Sequence, residues 1–211
     1  MEEQLRAGIA IYNAGATHAA HDAWEEVWLD LPTGSDDEQL LHGLIQFTAA
    51  IYHAQNRNWS GTVGLAQSGR EYLTGLPSTY RGVDLAPIRS YLQALTKDPE
   101  RIERDSPPMI TYKGQPLAAA DLELGAITTA AAVLAEEFEE YDEAIIHDAI
   151  EYAREEADES HTEFISLLTT FVDESTHRGI VYNRLESQVE RRRRKQQDVA
   201  GLFDPADDTE E

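Results

Sequence analysis

Two short stretches of the chain, residues 18–28 and 42–53, hold four of the seven histidines and two of the three tryptophans. If each stretch is a helix, residues three, four and seven apart lie on one face. This spacing aligns four side chains of the first stretch: His21, Trp24, Glu25 and Trp28. It aligns four more in the second: His42, Gln46, Ala49 and His53. Buried polar groups need partners, so two such faces in contact would form either a hydrogen-bonded core network or a small site.

Imidazole and carboxylate groups at this spacing are suitable ligands for zinc, iron or manganese. Three residues are the candidate metal ligands: His21, Glu25 and His53. His42 and Gln46 are expected behind them, where they would orient the ligands. A bound ion would supply the water nucleophile of a hydrolysis, in which Asp22 and Glu25 are the candidate catalytic groups.

The alternative role of the same residues is structural. A buried polar network can hold neighbouring helices in one register without binding anything. Trp24 and Trp28 are large rings at helical spacing, which usually pack in a core or line a groove, and Gln46 is expected beside them. The sequence leaves both alternatives open.

Several catalytic patterns are absent from the sequence. The chain has no cysteine, which excludes disulfides, thiolate zinc sites and cysteine nucleophiles. It has no His-Glu-x-x-His motif, and the single Glu-x-x-His, Glu174 to His177, falls short of the two that a carboxylate-bridged di-iron bundle needs. Gly61-x-x-Gly64 lies in a helical segment, so it predicts neither a phosphate loop nor a nucleophile elbow.

Helical periodicity dominates the chain and predicts an all-α fold. We expect a compact bundle of about five helices followed by a helical C-terminal extension. The predicted helices cover residues 5–13, 17–29, 36–55, 60–73, 86–95, 118–138, 142–156, 159–172 and 179–195. The predicted regions are an N-terminal bundle over 1–96, a proline-containing connector over 97–117, the extension over 118–197 and an acidic, disordered tail over 198–211.

The charge of the chain is strongly negative. Forty Asp and Glu face 17 Lys and Arg, for a net charge of −23, while 41% hydrophobic residues indicate a folded protein. We interpret this as the acidic surface of a halophile, because molar salt shortens the Debye length to about 3 Å and screens the repulsion. Such a surface repels phosphate, so nucleic acid is not an expected partner. The run Arg191–Lys195 is expected to pair with nearby acidic groups.

The sequence gives no membrane signal. No window approaches the roughly 20 apolar residues that a membrane span needs. The first residues lack the basic and apolar regions of a signal peptide. We therefore expect a cytoplasmic protein without a membrane partner.

Three motifs resemble one known family. They are Tyr12-Asn13-x-Gly15, then His21-Asp22-x-Trp24-Glu25-x-x-Trp28, then Gly43-Leu-Ile-Gln46 continuing to His53. Together they resemble the bacterial and archaeal family called domain of unknown function 309, over roughly residues 5–95. The resemblance implies a small helical bundle without an established activity, sometimes labelled a predicted metal-dependent hydrolase. It points to six residues: His21, Trp24, Glu25, Trp28, Gln46 and His53.

The chain departs from the family pattern at two positions. Asp22 stands where the family usually has Glu, and His42 where it often has Gln. The segment after Pro116 resembles an extension of halophilic archaeal members. Two functions stay open: an interaction or scaffold module, whose partner is a second copy in a homodimer or another protein, and a divalent-metal-dependent hydrolase.

Overall fold

Helices dominate the computed structural model, which describes residues 1–157 and 163–201, and the predicted all-α class is confirmed. The described residues form nine α-helices: α1 (Glu2–Asn13), α2 (Thr17–Leu29), α3 (Asp36–Gln55), α4 (Trp59–Thr74), α5 (Ala86–Lys97), α6 (Leu124–Glu137), α7 (Glu143–Glu156), α8 (Glu163–Asp173) and α9 (Arg178–Gly201). The predicted helix start at Glu159 and residues 202–211 of the predicted tail lie outside the described residues. Of the helices described, none is long and apolar enough to cross a membrane.

Consecutive helices from α1 to α5 pack against each other. The N-terminus of α3 is capped by Ser35, whose hydroxyl accepts a hydrogen bond from the backbone N–H of Glu38 at 3.2 Å. Helices α3 and α4 approach closely at Gly43, which has no side chain. A Cβ atom at this position would lie only 2.5 Å from Leu73 Cγ of α4. This close contact fixes α3 against α4 along the length that carries the second predicted face.

A small antiparallel sheet lies where helical periodicity predicts only a loop and a connector. Its strands pair in the order β1 (Thr79–Tyr80), β2 (Val83–Asp84), β3 (Thr111–Tyr112) and β4 (Gln115–Pro116). Each outer hairpin turns through two residues with positive φ, as type I′ turns require. These angles are 50° and 83° for Arg81 and Gly82, and 52° and 85° for Lys113 and Gly114.

One hydrophobic core extends from Leu5 in α1 to Val189 in α9. Helix α6 packs on α1 and α2, and α8 contacts α6, α7 and α9. Asn13, at the end of α1, ties in the connector: its Nδ2 donates to the carbonyls of Ile110 and Leu117, at 2.9 Å each. Helix α6 therefore lies directly against α2, which carries the first predicted face.

Candidate functional site

An open cleft of about 800 Å³ lies between the end of α2, the loop after it, and the facing parts of α3 and α4. We call it the Trp28 cleft. Its lining includes the aromatic, apolar and ionisable side chains of Trp28, Leu31, Glu38, His42, Glu71 and Tyr72. Two of them, Trp28 and His42, come one from each of the two predicted faces.

A buried carboxylate organises one wall of this cleft. Oε1 of Glu38 accepts hydrogen bonds from Trp28 Nε1 at 3.0 Å and from His42 Nδ1 at 3.2 Å. Its other oxygen, Oε2, accepts from the backbone N–H of Gly34 at 3.2 Å. Since a carboxylate only accepts, His42 Nδ1 carries the proton of this hydrogen bond. The helical spacing of four residues places Glu38 and His42 on one face of α3.

The environment of Glu38 keeps its side chain charged. The residue is only 8% exposed, and burial alone would raise the pKa of its carboxyl group. The hydrogen bonds from Trp28, His42 and Gly34 outweigh burial, so the pKa of Glu38 is lowered. The cleft wall therefore holds a fixed negative charge at neutral pH.

Two aromatic rings flank His42. The imidazole stacks on Tyr72, with ring centroids 3.8 Å apart and planes 25° apart. It also lies 4.5 Å from the centroid of Trp28, tilted by 51°. His42 Nε2 makes no hydrogen bond to any residue that the structure describes. The ring is thus held through Nδ1 and by stacking.

Most of the remaining predicted polar residues lie on a different surface of α2. His21 Nε2 is 3.7 Å from Glu25 Oε2, and His18 Nδ1 is 3.0 Å from Glu137 Oε2 of α6. Within the described residues, two triads bring one ligand atom from each member within 4.8 Å of the others: His18, Asp22 and Glu137, and His21, Asp22 and Glu25. Asp22 belongs to both triads.

Asp22 lies among opposing charges. Partial burial raises the pKa of its carboxyl group, His18 and His21 oppose that rise, and Glu137 and Glu25 add to it, so that the pKa of Asp22 is raised. A divalent cation would be a natural counter-charge for this arrangement. The donor set of imidazole and carboxylate fits zinc, iron or manganese.

The structure does not bring His53 to His21 and Glu25. His53 Nδ1 instead lies 2.7 Å from Asn58 Nδ2, and Asn58 caps α4 by accepting from the backbone N–H of Gly61 at 3.1 Å. Among the described residues, Asp22 takes the third place beside His21 and Glu25. His53, near the end of α3, points towards α4 because Asn58, the N-cap residue of α4, is its hydrogen-bond partner.

The other predicted residues lie apart from both surfaces. Trp24 is fully buried, and its Nε1 donates to the carbonyl of Leu5 in α1 at 3.3 Å, so it is a core residue. Gln46 is half-buried against α4, since a Cβ atom on Gly69 would lie 3.0 Å from Gln46 Cβ. Ala49 makes no polar contribution to either surface.

Two important cleft residues, Glu38 and Tyr72, were not among the predicted site residues. Glu38 ends the acidic run Asp36-Asp37-Glu38, which is typical of the first turn of a helix and of a strongly acidic surface. Only its spacing of four residues from His42 indicates, from the sequence, that the two side chains are neighbours on one face of a helix. Tyr72 lies on α4, outside the two stretches, and only the packing of α4 on α3 brings it to His42.

Comparison with known proteins gives a family match for the first third of the chain. Residues 5–65 match the model of a family described as a domain of unknown function, DUF309. An uncharacterized protein of Aquifex aeolicus (strain VF5) is 27% identical over 112 residues, which cover 52% of this chain and 32% of that protein. The match thus spans about a third of the relative's length. Neither description names an activity.

The family match covers only part of each site. It includes Trp28, Glu38 and His42 of the cleft, and it ends within α4 before Tyr72. It also includes the candidate metal ligands on α2 and leaves out Glu137 of α6. Each site therefore combines residues inside and outside the matched segment.

Proposed function

We propose that this protein is a binding module and that the Trp28 cleft is its recognition site. One observation carries this proposal: the buried Glu38 is held by Gly34 and accepts two further hydrogen bonds, which fix Trp28 and His42 beside open space. A network that served only the core would be covered by other side chains. Here it supports the wall of a cleft of about 800 Å³.

The shape and lining of the cleft support the same function. Small-molecule and side-chain sites commonly measure about 300–1,000 Å³ and combine aromatic walls with a few polar groups. The Trp28 cleft has this combination in Trp28, Tyr72 and Glu38. Its walls are also fixed before any ligand arrives, which lowers the entropic cost of binding.

A ligand screen read by NMR tests this function on the full chain. The chain has three indole N–H groups, and Trp28 is the one in the cleft. The other two serve as internal controls, because Trp24 is buried under α1 and Trp59 lies at the start of α4. We expect compounds that bind to shift the Trp28 signal, identified with Trp28→Phe, and to leave Trp24 unchanged. A screen whose hits never shift Trp28 would contradict the proposal.

Divalent-metal-dependent hydrolysis is a second candidate, favoured by the two triads that share Asp22. His18 and Glu137 would hold an ion on one side of Asp22, and His21 and Glu25 on the other. A bound divalent ion would supply an acidified water as nucleophile. The protein's own part would be to position ligands from α2 and α6 around the shared carboxylate.

Asp22→Asn tests the metal candidate. Mutation of a residue that only orients the ligands typically lowers metal affinity by about 10–100-fold. Loss of a ligand that both triads share should therefore weaken Zn²⁺ or Mn²⁺ binding at least that much. Asp30→Asn is the matched control, since Asp30 is an exposed aspartate at the end of α2 outside both triads. Calorimetry showing equal affinity in both variants, or no binding by the unmodified protein, would refute this candidate.

A further inference from the structure

We infer that the Trp28 cleft takes a primary alkylammonium group, the chemistry shared by a lysine side chain and a free polyamine. This inference rests on the proposed function of the cleft. It is carried by the charge of the lining, by the aromatic walls and by the one acceptor position that Glu38 leaves open.

The residues that line the cleft favour a cation. Among the residues that the structure describes, the lining includes the carboxylates of Glu38 and Glu71 and no lysine or arginine. Glu38 is fixed and buried, whereas Glu71 is exposed at the rim, where it accepts from Gln67 Nε2 at 3.1 Å. The chain as a whole carries a net charge of −23. A concave surface lined by one sign of charge concentrates ligands of the opposite sign.

The aromatic walls suit the apolar stem and the charged end of such a ligand. Cations are attracted to the faces of Trp and Tyr within about 6 Å of the ring centre. His42 covers part of Tyr72, yet Tyr72 remains only half-buried and still lines the cleft. Leu31, also in the lining, adds an apolar contact for the carbon chain.

The hydrogen bonds of Glu38 distinguish an ammonium from a guanidinium. A carboxylate has about four acceptor positions, two on each oxygen. Trp28 and His42 occupy both positions on Oε1, and Gly34 occupies one on Oε2. A guanidinium fork needs both oxygens, whereas an ammonium group needs a single acceptor, so the remaining position on Oε2 fits the ammonium.

Three probes of equal length test the ligand class at constant ionic strength: n-butylammonium, n-butanol and butyrate. Titrations followed by the Trp28 indole signal should give n-butylammonium at least about tenfold tighter binding than the other two, which corresponds to about 1.4 kcal/mol. Butylguanidinium should bind more weakly than n-butylammonium. Comparing putrescine with N-acetyl-lysine-methylamide then shows whether a free polyamine or a protein side chain is the better source of the group.

Variants separate a local effect from the overall charge. Glu71→Gln and Tyr72→Leu should each weaken n-butylammonium binding about two- to fivefold. Glu26→Gln removes an exposed α2 carboxylate outside the cleft and should leave binding unchanged. Equal weakening by Glu26→Gln and Glu71→Gln would overturn the inference. Equal binding of the three probes, or no shift of Trp28 by any of them, would also overturn the inference. The proposed function would stand in both cases, because only the ligand screen tests it.

Discussion

At the scale of single residues, Glu38 links the two stretches that the spacing of histidines and tryptophans singles out. The spacing assigns His21 to one face with Trp28, whereas the structure places these two side chains on different surfaces of α2. The spacing does include both Trp28 and His42, whose ring centroids lie 4.5 Å apart. It cannot identify the carboxylate between them, because an acidic residue in the first turn of a helix has an ordinary explanation in the helix dipole. It also places His53 with His21, whereas the cap of α4 holds His53 elsewhere.

Glu38→Gln should destabilise the fold. The amide has one oxygen for three donors, and its NH₂ group would face another donor, so at least one of these partly buried N–H groups loses its acceptor. The expected loss in the free energy of unfolding is about 1–3 kcal/mol. Urea denaturation measures it. Glu26→Gln, at an exposed position, should stay within about 0.5 kcal/mol of the unmodified protein.

The difference in stability between the unmodified protein and Glu38→Gln should depend on pH. Because the pKa of Glu38 is lowered in the folded state, its charged form stabilises the fold at pH values above the ordinary pKa of a glutamate. That contribution disappears as the pH falls through the lowered folded-state pKa. The stability gap between the unmodified protein and Glu38→Gln should therefore be full at pH 7 and shrink below about pH 4. A gap that stays constant down to pH 3 would contradict the charged network.

At the scale of elements, the helices follow from periodicity and the small sheet does not. Its strands are two residues long, too short for the alternation that identifies a strand. Its turns use Arg-Gly and Lys-Gly in place of the Asn-Gly or Asp-Gly that most strongly predicts a hairpin. A repeated pattern was present, since Thr-Tyr-Arg-Gly at 79–82 recurs as Thr-Tyr-Lys-Gly at 111–114.

The two turn glycines form a matched pair of positions for mutation. Alanine at either should cost roughly 1–2 kcal/mol, because both glycines have positive φ. At Gly82 the new Cβ would also lie 2.9 Å from Tyr112 Cε2, whereas no atom lies within 4 Å at Gly114. Gly82→Ala should therefore lose about 1 kcal/mol or more beyond Gly114→Ala in chemical denaturation. Equal losses would show that Tyr112 does not pack on this turn.

At the scale of the whole molecule, the sequence predicts ion pairs for the run Arg191–Lys195 but not the packing of α6 on α1 and α2. Arg192 bonds to Glu155 and Glu156, and Arg193 bonds to Asp148, so part of the basic run does contact acidic groups of α7. The contact of α6 with α1 and α2 depends on tertiary packing, and no local pattern predicts it. This contact is what brings Glu137 to His18.

Salt should stabilise this protein if its acidity is an adaptation to molar salt. With a net charge of −23, screening of self-repulsion should raise the thermal midpoint between 0.1 M and 2 M KCl. We expect a rise of more than about 4 °C, which for a chain of this size corresponds to about 1–2 kcal/mol. Calorimetric or circular dichroism melting curves measure this rise. A flat response would refute the interpretation as a halophile's surface.

The most direct test of the central claim is a map of backbone amide shifts on adding n-butylammonium to the full chain. If the Trp28 cleft is the recognition site, the largest changes fall at Gly34, Glu38, His42 and Tyr72, which surround it. Changes centred on His18, His21 and Asp22, or spread evenly over exposed acidic residues, would contradict the account.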